Sequence, residues 1–168
     1  MYQKIIENII YPISDKLLGL SINNNLKKNR QIQWYETQKL YSLQKKKLHK
    51  ILTHCKNNIP YYHRIFQEQN FDINGNLYKE LERIPFLSKK EIRNHMPDDL
   101  IDKKRKIYTI EKTSGSSGEQ GIFYLDRDAF SKILAAQTLF WEWAGYRFGK
   151  ATLQTGINPE RGFKKYLK

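Results

Sequence analysis

Apolar residues recur near the helical period over the first twenty positions of the chain. This apolar stripe consists of Ile5, Ile6, Ile9, Ile10, Ile13, Leu17 and Leu18. Two interpretations of the stripe stay open: it packs on the rest of the protein, or it lies on a membrane surface as an amphipathic helix. Pro12 breaks or kinks the run. The polar, asparagine-rich residues 21–30 that follow predict a connecting loop.

A second helical pattern covers residues 34–56, where apolar positions fall mostly on one face and lysines fill the other. Cys55 belongs to the apolar face, so we interpret it as a small core residue and not as a nucleophile. Pro60 is well placed in the first turn of a shorter helix. Ser88 and Glu91 have the spacing of a capping box and therefore predict a third helix start, with no chemistry beyond satisfying backbone amides.

In the last third of the chain, the helical pattern gives way to strand patterns. Residues 107–110 and 122–125 are two β-rich runs that flank a loop of hydroxyls and glycines. A helix capped by Asp126 and ended by Gly145 follows, and residues 151–155 have the pattern of a further strand. Strand, helix and strand in this order predict a βαβ unit. The fold class expected is therefore α/β, with a helical N-terminal region before the start of an α/β layer.

Composition narrows the function classes. The 168 residues include 30 Lys and Arg against 17 Asp and Glu, a formal net charge of +13. The positive residues form scattered pairs and short runs, so we expect no specific nucleic-acid binding. One cysteine excludes an intramolecular disulfide framework and a cysteine-based zinc site. The four histidines form no compact ligand cluster, so no metal site is predicted.

The location expected from the sequence is the cytoplasm. No stretch approaches the ~18 apolar residues that a membrane span requires. Glu7 and Asn8 interrupt the first apolar run, and no cleavage site of small residues follows it, so we do not expect a secretory signal.

The loop between the two β-rich runs carries the candidate chemistry. Glycines let a backbone approach phosphate closely, and the neighbouring hydroxyls add donors. The candidate binding residues are Thr113, Ser114, Gly115, Ser116, Ser117 and Gly118. This is not a Walker loop, because Glu119-Gln120 follows the last of these glycines where that motif requires Lys-Ser or Lys-Thr. On the residues alone, phosphate binding and a solvent-exposed loop that binds nothing both stay open.

Thr-Ser-Gly-Ser-Ser-Gly at 113–118 resembles the phosphate-binding loop of the adenylate-forming enzymes. Three further blocks, Pro-Tyr-Tyr at 60–62, Ile-Pro-Phe-Leu-Ser-Lys-Lys-Glu-Ile-Arg at 84–93 and Trp-Glu-Trp-Ala-Gly-Tyr-Arg at 141–147, occur in the order typical of the phenylacetate-CoA ligase family. Within that family, the blocks resemble especially the capsular polysaccharide biosynthesis members. Glu119-Gln120 departs from the family, which usually has Lys-Pro or a similar pair there.

This resemblance implies an N-terminal portion of an ATP-dependent carboxylate-activating ligase. The hydrophobic pattern predicts residues 1–30 as an amphipathic segment and loop and residues 31–100 as a helical region. With the resemblance, residues 101–168 are expected to be the incomplete start of the nucleotide-binding domain. The implied ligands are ATP with Mg²⁺, a small carboxylic acid and, as one acyl acceptor, coenzyme A. We expect the chain alone to be inactive. The alternative is a small basic binding or scaffolding protein with peripheral membrane contact through its first twenty residues.

Overall fold

The computed structural model describes residues 2–113 and 121–151. Helices dominate these ranges, and the sheet found in them has two strands. The elements in chain order are α1 (Tyr2–Ile5), a π-helical turn (Ile6–Ile10), α2 (Tyr11–Leu17), α3 (Ile22–Ile32), α4 (Thr37–Asn58), α5 (Pro60–Glu68), α6 (Leu77–Glu82), α7 (Lys89–His95), β1 (Thr109–Lys112), β2 (Ile122–Leu125) and α8 (Arg127–Trp143).

The loop predicted for residues 21–30 is wrong, because α3 occupies most of that stretch. The buried carboxylate of Asp15 accepts hydrogen bonds from the backbone N–H groups of Ile22 (3.1 Å) and Asn23 (2.9 Å). These bonds satisfy amides that the first turn of a helix leaves without partners. Leu26, one turn further, is 1% exposed. Long-range capping and burial thus outweigh the weak helix propensity of the asparagines.

A first hydrophobic core joins α3 to α8. Its buried members are Ile22, Leu26, Ala135 and Leu139. The buried hydroxyl of Ser131 accepts a hydrogen bond from the backbone N–H of Ser21 at 3.1 Å, which fixes the start of α3 against α8. The helix predicted after Asp126 is confirmed, and Asp126 caps it by accepting the N–H of Ala129 at 2.7 Å.

A second core joins α4, α5 and α6 and consists of Leu52, Phe66, Phe71 and Leu77. The helices predicted at 34–56 and from Pro60 are confirmed, with the first shifted to Thr37–Asn58. Cys55 packs against this core, and burial raises the pKa of its thiol, as expected for a core residue rather than a nucleophile. The capping box of Ser88 and Glu91 is also confirmed.

Residues 96–108, here called the bridging segment, connect the two cores. On one side, Asp102 Oδ2 lies 3.3 Å from His54 Nε2 of α4. On the other side, Arg105 donates a hydrogen bond to the carboxylate of Asp126 at the start of α8. The segment contains no helix or strand of its own. Besides these side-chain contacts, two backbone hydrogen bonds hold it in place, from the Tyr61 N–H to the Asp99 carbonyl (3.0 Å) and from the Tyr108 N–H to the Leu125 carbonyl (2.7 Å).

The strands β1 and β2 pair antiparallel, with Thr109 opposite Leu125 and Lys112 opposite Ile122. The second predicted strand is confirmed, whereas the first begins at Thr109 rather than at residue 107. Residues 152–155 of the third predicted strand lie outside the described residues, so the βαβ unit and the three-region division stay predictions. The described part is a mixed α/β arrangement of many helices and one small hairpin.

Candidate functional site

The candidate loop connects the two strands of the hairpin. The backbone N–H of Thr113 donates to the carbonyl of Gly121 at 2.9 Å. In return, the N–H of Gly121 donates to Thr113 Oγ1 at 2.8 Å. These two bonds hold Thr113 and Gly121, the residues that flank positions 114–120, side by side. The predicted site residues Ser114, Gly115, Ser116, Ser117 and Gly118 lie in that stretch, outside the described residues.

Thr113 is the predicted site residue that the structure places. Its side chain is exposed, and its oxygen accepts the Gly121 N–H, so its O–H hydrogen stays available to donate. A Cβ at Gly121 would lie 3.2 Å from the Phe123 ring, which favours glycine there. The sequence singled out the hydroxyl of Thr113 as a ligand contact and missed its second task of closing the hairpin.

The hairpin exposes apolar surface. Ile110, Ile122 and Phe123 are between 38% and 50% exposed. Phe140 of α8 is 56% exposed. Open sheet faces of this kind normally pack against further structure.

An open groove of about 800 Å³ lies between α4, the bridging segment, β2 and α8. Much of its lining is apolar and includes Ile51, Met96, Leu100, Ile107, Phe123 and Leu125. Lys47, Lys50 and Lys106 also line it, and they have no charged partner within the described ranges. The groove therefore combines apolar surface with unpaired positive charge.

The carboxylates along this groove are paired. Arg105 contacts both Asp102, at 3.6 Å, and Asp126. Burial raises the pKa of Asp126, but its hydrogen bonds with the Ala129 N–H and with Arg105 lower it more, so the net pKa is below the ordinary value. Asp126 is thus an ionised cap and ion-pair partner, unsuited to act as a proton donor near neutral pH.

A second polar cluster surrounds Asp99. Arg64 Nη2 lies 2.8 Å from Asp99 Oδ2, and His95 Nδ1 lies 3.1 Å from the same oxygen. Hydrogen bonds from Arg64 and from His95 hold the pKa of Asp99 below its ordinary value. This cluster was not predicted from the sequence, although the four-residue spacing of His95 and Asp99 is a signal for such a contact. In the described part of the chain, no group of three His, Cys, Asp or Glu side chains could hold a metal ion.

Comparison with known proteins gives two partial similarities. The chain is 28% identical over 103 residues to the phenylacetate-coenzyme A ligase of Thermus thermophilus, a match that covers 58% of this chain and 23% of that protein. It is 25% identical over 121 residues to Protein CapK of Staphylococcus aureus, covering 72% of this chain and 27% of CapK. No protein-family model and no solved structure matches. The chain thus spans about a quarter of the length of these relatives, and the similarities suggest a ligase-like relationship.

Proposed function

We propose that this chain is the N-terminal part of an ATP-dependent carboxylate-activating ligase of the adenylate-forming kind. The observation that supports the proposal most is the hairpin in which Thr113 and Gly121 hold a glycine- and serine-rich loop closed at its base. The partial similarities to a phenylacetate-coenzyme A ligase and to CapK agree with it. In the proposed reaction, a carboxylate oxygen attacks the α-phosphorus of ATP, pyrophosphate leaves, and the acyl group then passes to coenzyme A or another acceptor.

The proposed task of the loop is to hold the β- and γ-phosphates. The residues present fit this task, because the Thr113 O–H is exposed and free to donate while its oxygen is already engaged. Ser116 and Ser117 would add hydroxyl donors, and Gly115 and Gly118 would let the backbone approach the phosphate oxygens. Mg²⁺, when bound with ATP, would share the neutralisation of charge on the leaving pyrophosphate.

We expect Gly118→Val in a full-length protein that contains this chain to lower carboxylate-dependent exchange of pyrophosphate into ATP by about 10²-fold, because a branched side chain would stand where phosphate approaches. The substitution Thr113→Val should also lower exchange, since it removes both the O–H and the acceptor of the Gly121 N–H. Thr113→Ser is the matched control and should retain most activity. Unchanged exchange in Gly118→Val would refute the assignment of the loop.

Residues 1–168 by themselves are expected not to catalyse the reaction. Adenylation requires the base, ribose and phosphates of ATP to be aligned with the acid in one site, and this alignment supplies much of the rate. The chain spans about a quarter of each relative, so most of such a site would come from elsewhere. The measurement is ATP binding by calorimetry and pyrophosphate exchange over a panel of carboxylic acids. Turnover with any acid would contradict the expectation.

A further inference from the structure

The outward face of residues 2–18 is a continuous apolar stripe. Ile5, Ile9, Ile13 and Leu17 follow one another at intervals of four residues, and they are 41%, 53%, 55% and 82% exposed. Neighbouring positions extend the surface, because Tyr2, Ile10 and Leu18 are each more than half exposed. We call this set of seven side chains the outer stripe. Single exposed apolar residues are normal on a protein surface, whereas a continuous set of seven is not.

Specific contacts on the opposite side fix the orientation of this segment. Tyr11 stacks on Phe148 with ring centroids 3.7 Å apart. Asp15 is buried and caps α3. Glu7 faces two guanidinium groups, Arg30 at 3.4 Å and Arg147 at 3.9 Å. Because these polar and aromatic anchors lie on the inner side, the segment cannot rotate to bury the outer stripe without breaking them.

The negative and positive side chains of this segment differ in their surroundings. Both of its carboxylates, Glu7 and Asp15, are engaged on the inner side. Its lysines, Lys4 and Lys16, are exposed, and their ammonium groups have no partner among residues 2–113 and 121–151. The outward surface of the segment is therefore apolar and cationic, with no exposed carboxylate.

We propose that the outer stripe lies on the surface of an anionic lipid bilayer, independently of the ligase proposal. Isoleucine and leucine side chains would enter the boundary between headgroups and acyl chains, and Lys4 and Lys16 would contact anionic headgroups. The helix would lie in the plane of the surface, and no described helix is long and apolar enough to cross a bilayer. A second copy of the chain is less suited to cover the outer stripe, because two copies, each with a net charge of +13 and the same exposed lysines, would repel each other.

The test is co-sedimentation of the full chain with vesicles of phosphatidylcholine mixed with phosphatidylglycerol, compared with phosphatidylcholine alone. We expect binding to the anionic vesicles that weakens as salt is added. The double variant Ile9→Glu/Ile13→Glu should lower this binding about tenfold or more, because it removes apolar side chains and repels anionic headgroups. The matched control is Ile51→Glu/Ile133→Glu, whose positions are 58% and 51% exposed elsewhere on the protein. It changes the net charge equally and should retain most of the binding.

A second variant removes two exposed positive charges and keeps the apolar side chains of the outer stripe, so it tests the electrostatic part of membrane binding separately. Lys4→Gln/Lys16→Gln should reduce the salt-sensitive part of binding and leave the circular dichroism spectrum unchanged. Three results would overturn the proposal: no binding of the unmodified chain to anionic vesicles at low salt, an equal loss in the Ile51→Glu/Ile133→Glu control, or self-association that Ile9→Glu/Ile13→Glu abolishes without any vesicle binding. The last result would assign the outer stripe to a second copy.

Discussion

Leu26→Ala is expected to lower the free energy of unfolding by about 3 kcal/mol. Leu26 is 1% exposed and lies in the core shared by α3 and α8, beside Ile22 and Leu139. The substitution removes buried methyl groups and leaves a cavity that packed helices fill only in part. The measurement is chemical denaturation of the chain without lipid vesicles, monitored by far-ultraviolet circular dichroism.

The control for this prediction is Leu17→Ala. Leu17 is 82% exposed, so the same chemical change should alter the free energy of unfolding by less than about 0.5 kcal/mol. The pair compares the same residue type inside and outside the core, only nine positions apart in the chain. Equal destabilisation by both variants would contradict the packing of α3 against α8.

Arg30→Met is expected to cost about 2 kcal/mol of stability. The Glu142 side chain is 7% exposed and accepts a hydrogen bond from Arg30 Nε at 2.9 Å, with a second one from the same guanidinium. Loss of Arg30 leaves this carboxylate in a largely buried place with Arg147, at 3.4 Å, as its remaining cation. Because Arg147 remains, we expect less than the roughly 3–5 kcal/mol typical of a fully orphaned buried charge.

Lys132→Met is the matched control, since it breaks an ion pair with Asp128 whose side chains are 60% and 54% exposed. Exposed pairs of this kind contribute up to about 1 kcal/mol. Adding Glu142→Leu to Arg30→Met should recover part of the lost stability, because the buried carboxylate is then removed. If Arg30→Met lowers the free energy of unfolding no more than Lys132→Met does, the ion pair between α3 and α8 does not contribute the expected stability.

Local signals predicted much of the helical part. Ser88 and Glu91 are three residues apart, and the capping box they form depends on nothing beyond that turn. Asp126 caps α8 through the N–H of Ala129, again three residues away. The helix from Pro60 follows from the fixed backbone angle of proline in a first turn. Each of these features is decided by atoms within one turn of helix, so the sequence is sufficient to predict it.

Features that depend on distant residues were missed or shifted. Helix α3 is polar and rich in asparagine, and it forms where Asp15 caps it and α8 covers Leu26. The first strand begins two residues late, at Thr109, since its extent depends on pairing with β2. For the candidate loop between β1 and β2, the sequence supplied the residue types, while the structure supplies the hydrogen bond between Thr113 and Gly121 at its base.

The sequence by itself determined the amphipathic stripe of the first twenty residues, the capped helix starts and the glycine- and serine-rich loop between two strands. Tertiary structure decided that the apolar side of this helical segment faces outward, because Arg30 and Arg147 hold Glu7 on the inner side. It also decided that Arg30 pairs with Glu142, 112 positions away. A charged side chain can pair with any opposite charge that folding brings near, so a chain with 30 basic and 17 acidic residues leaves the pairing open until the helices pack.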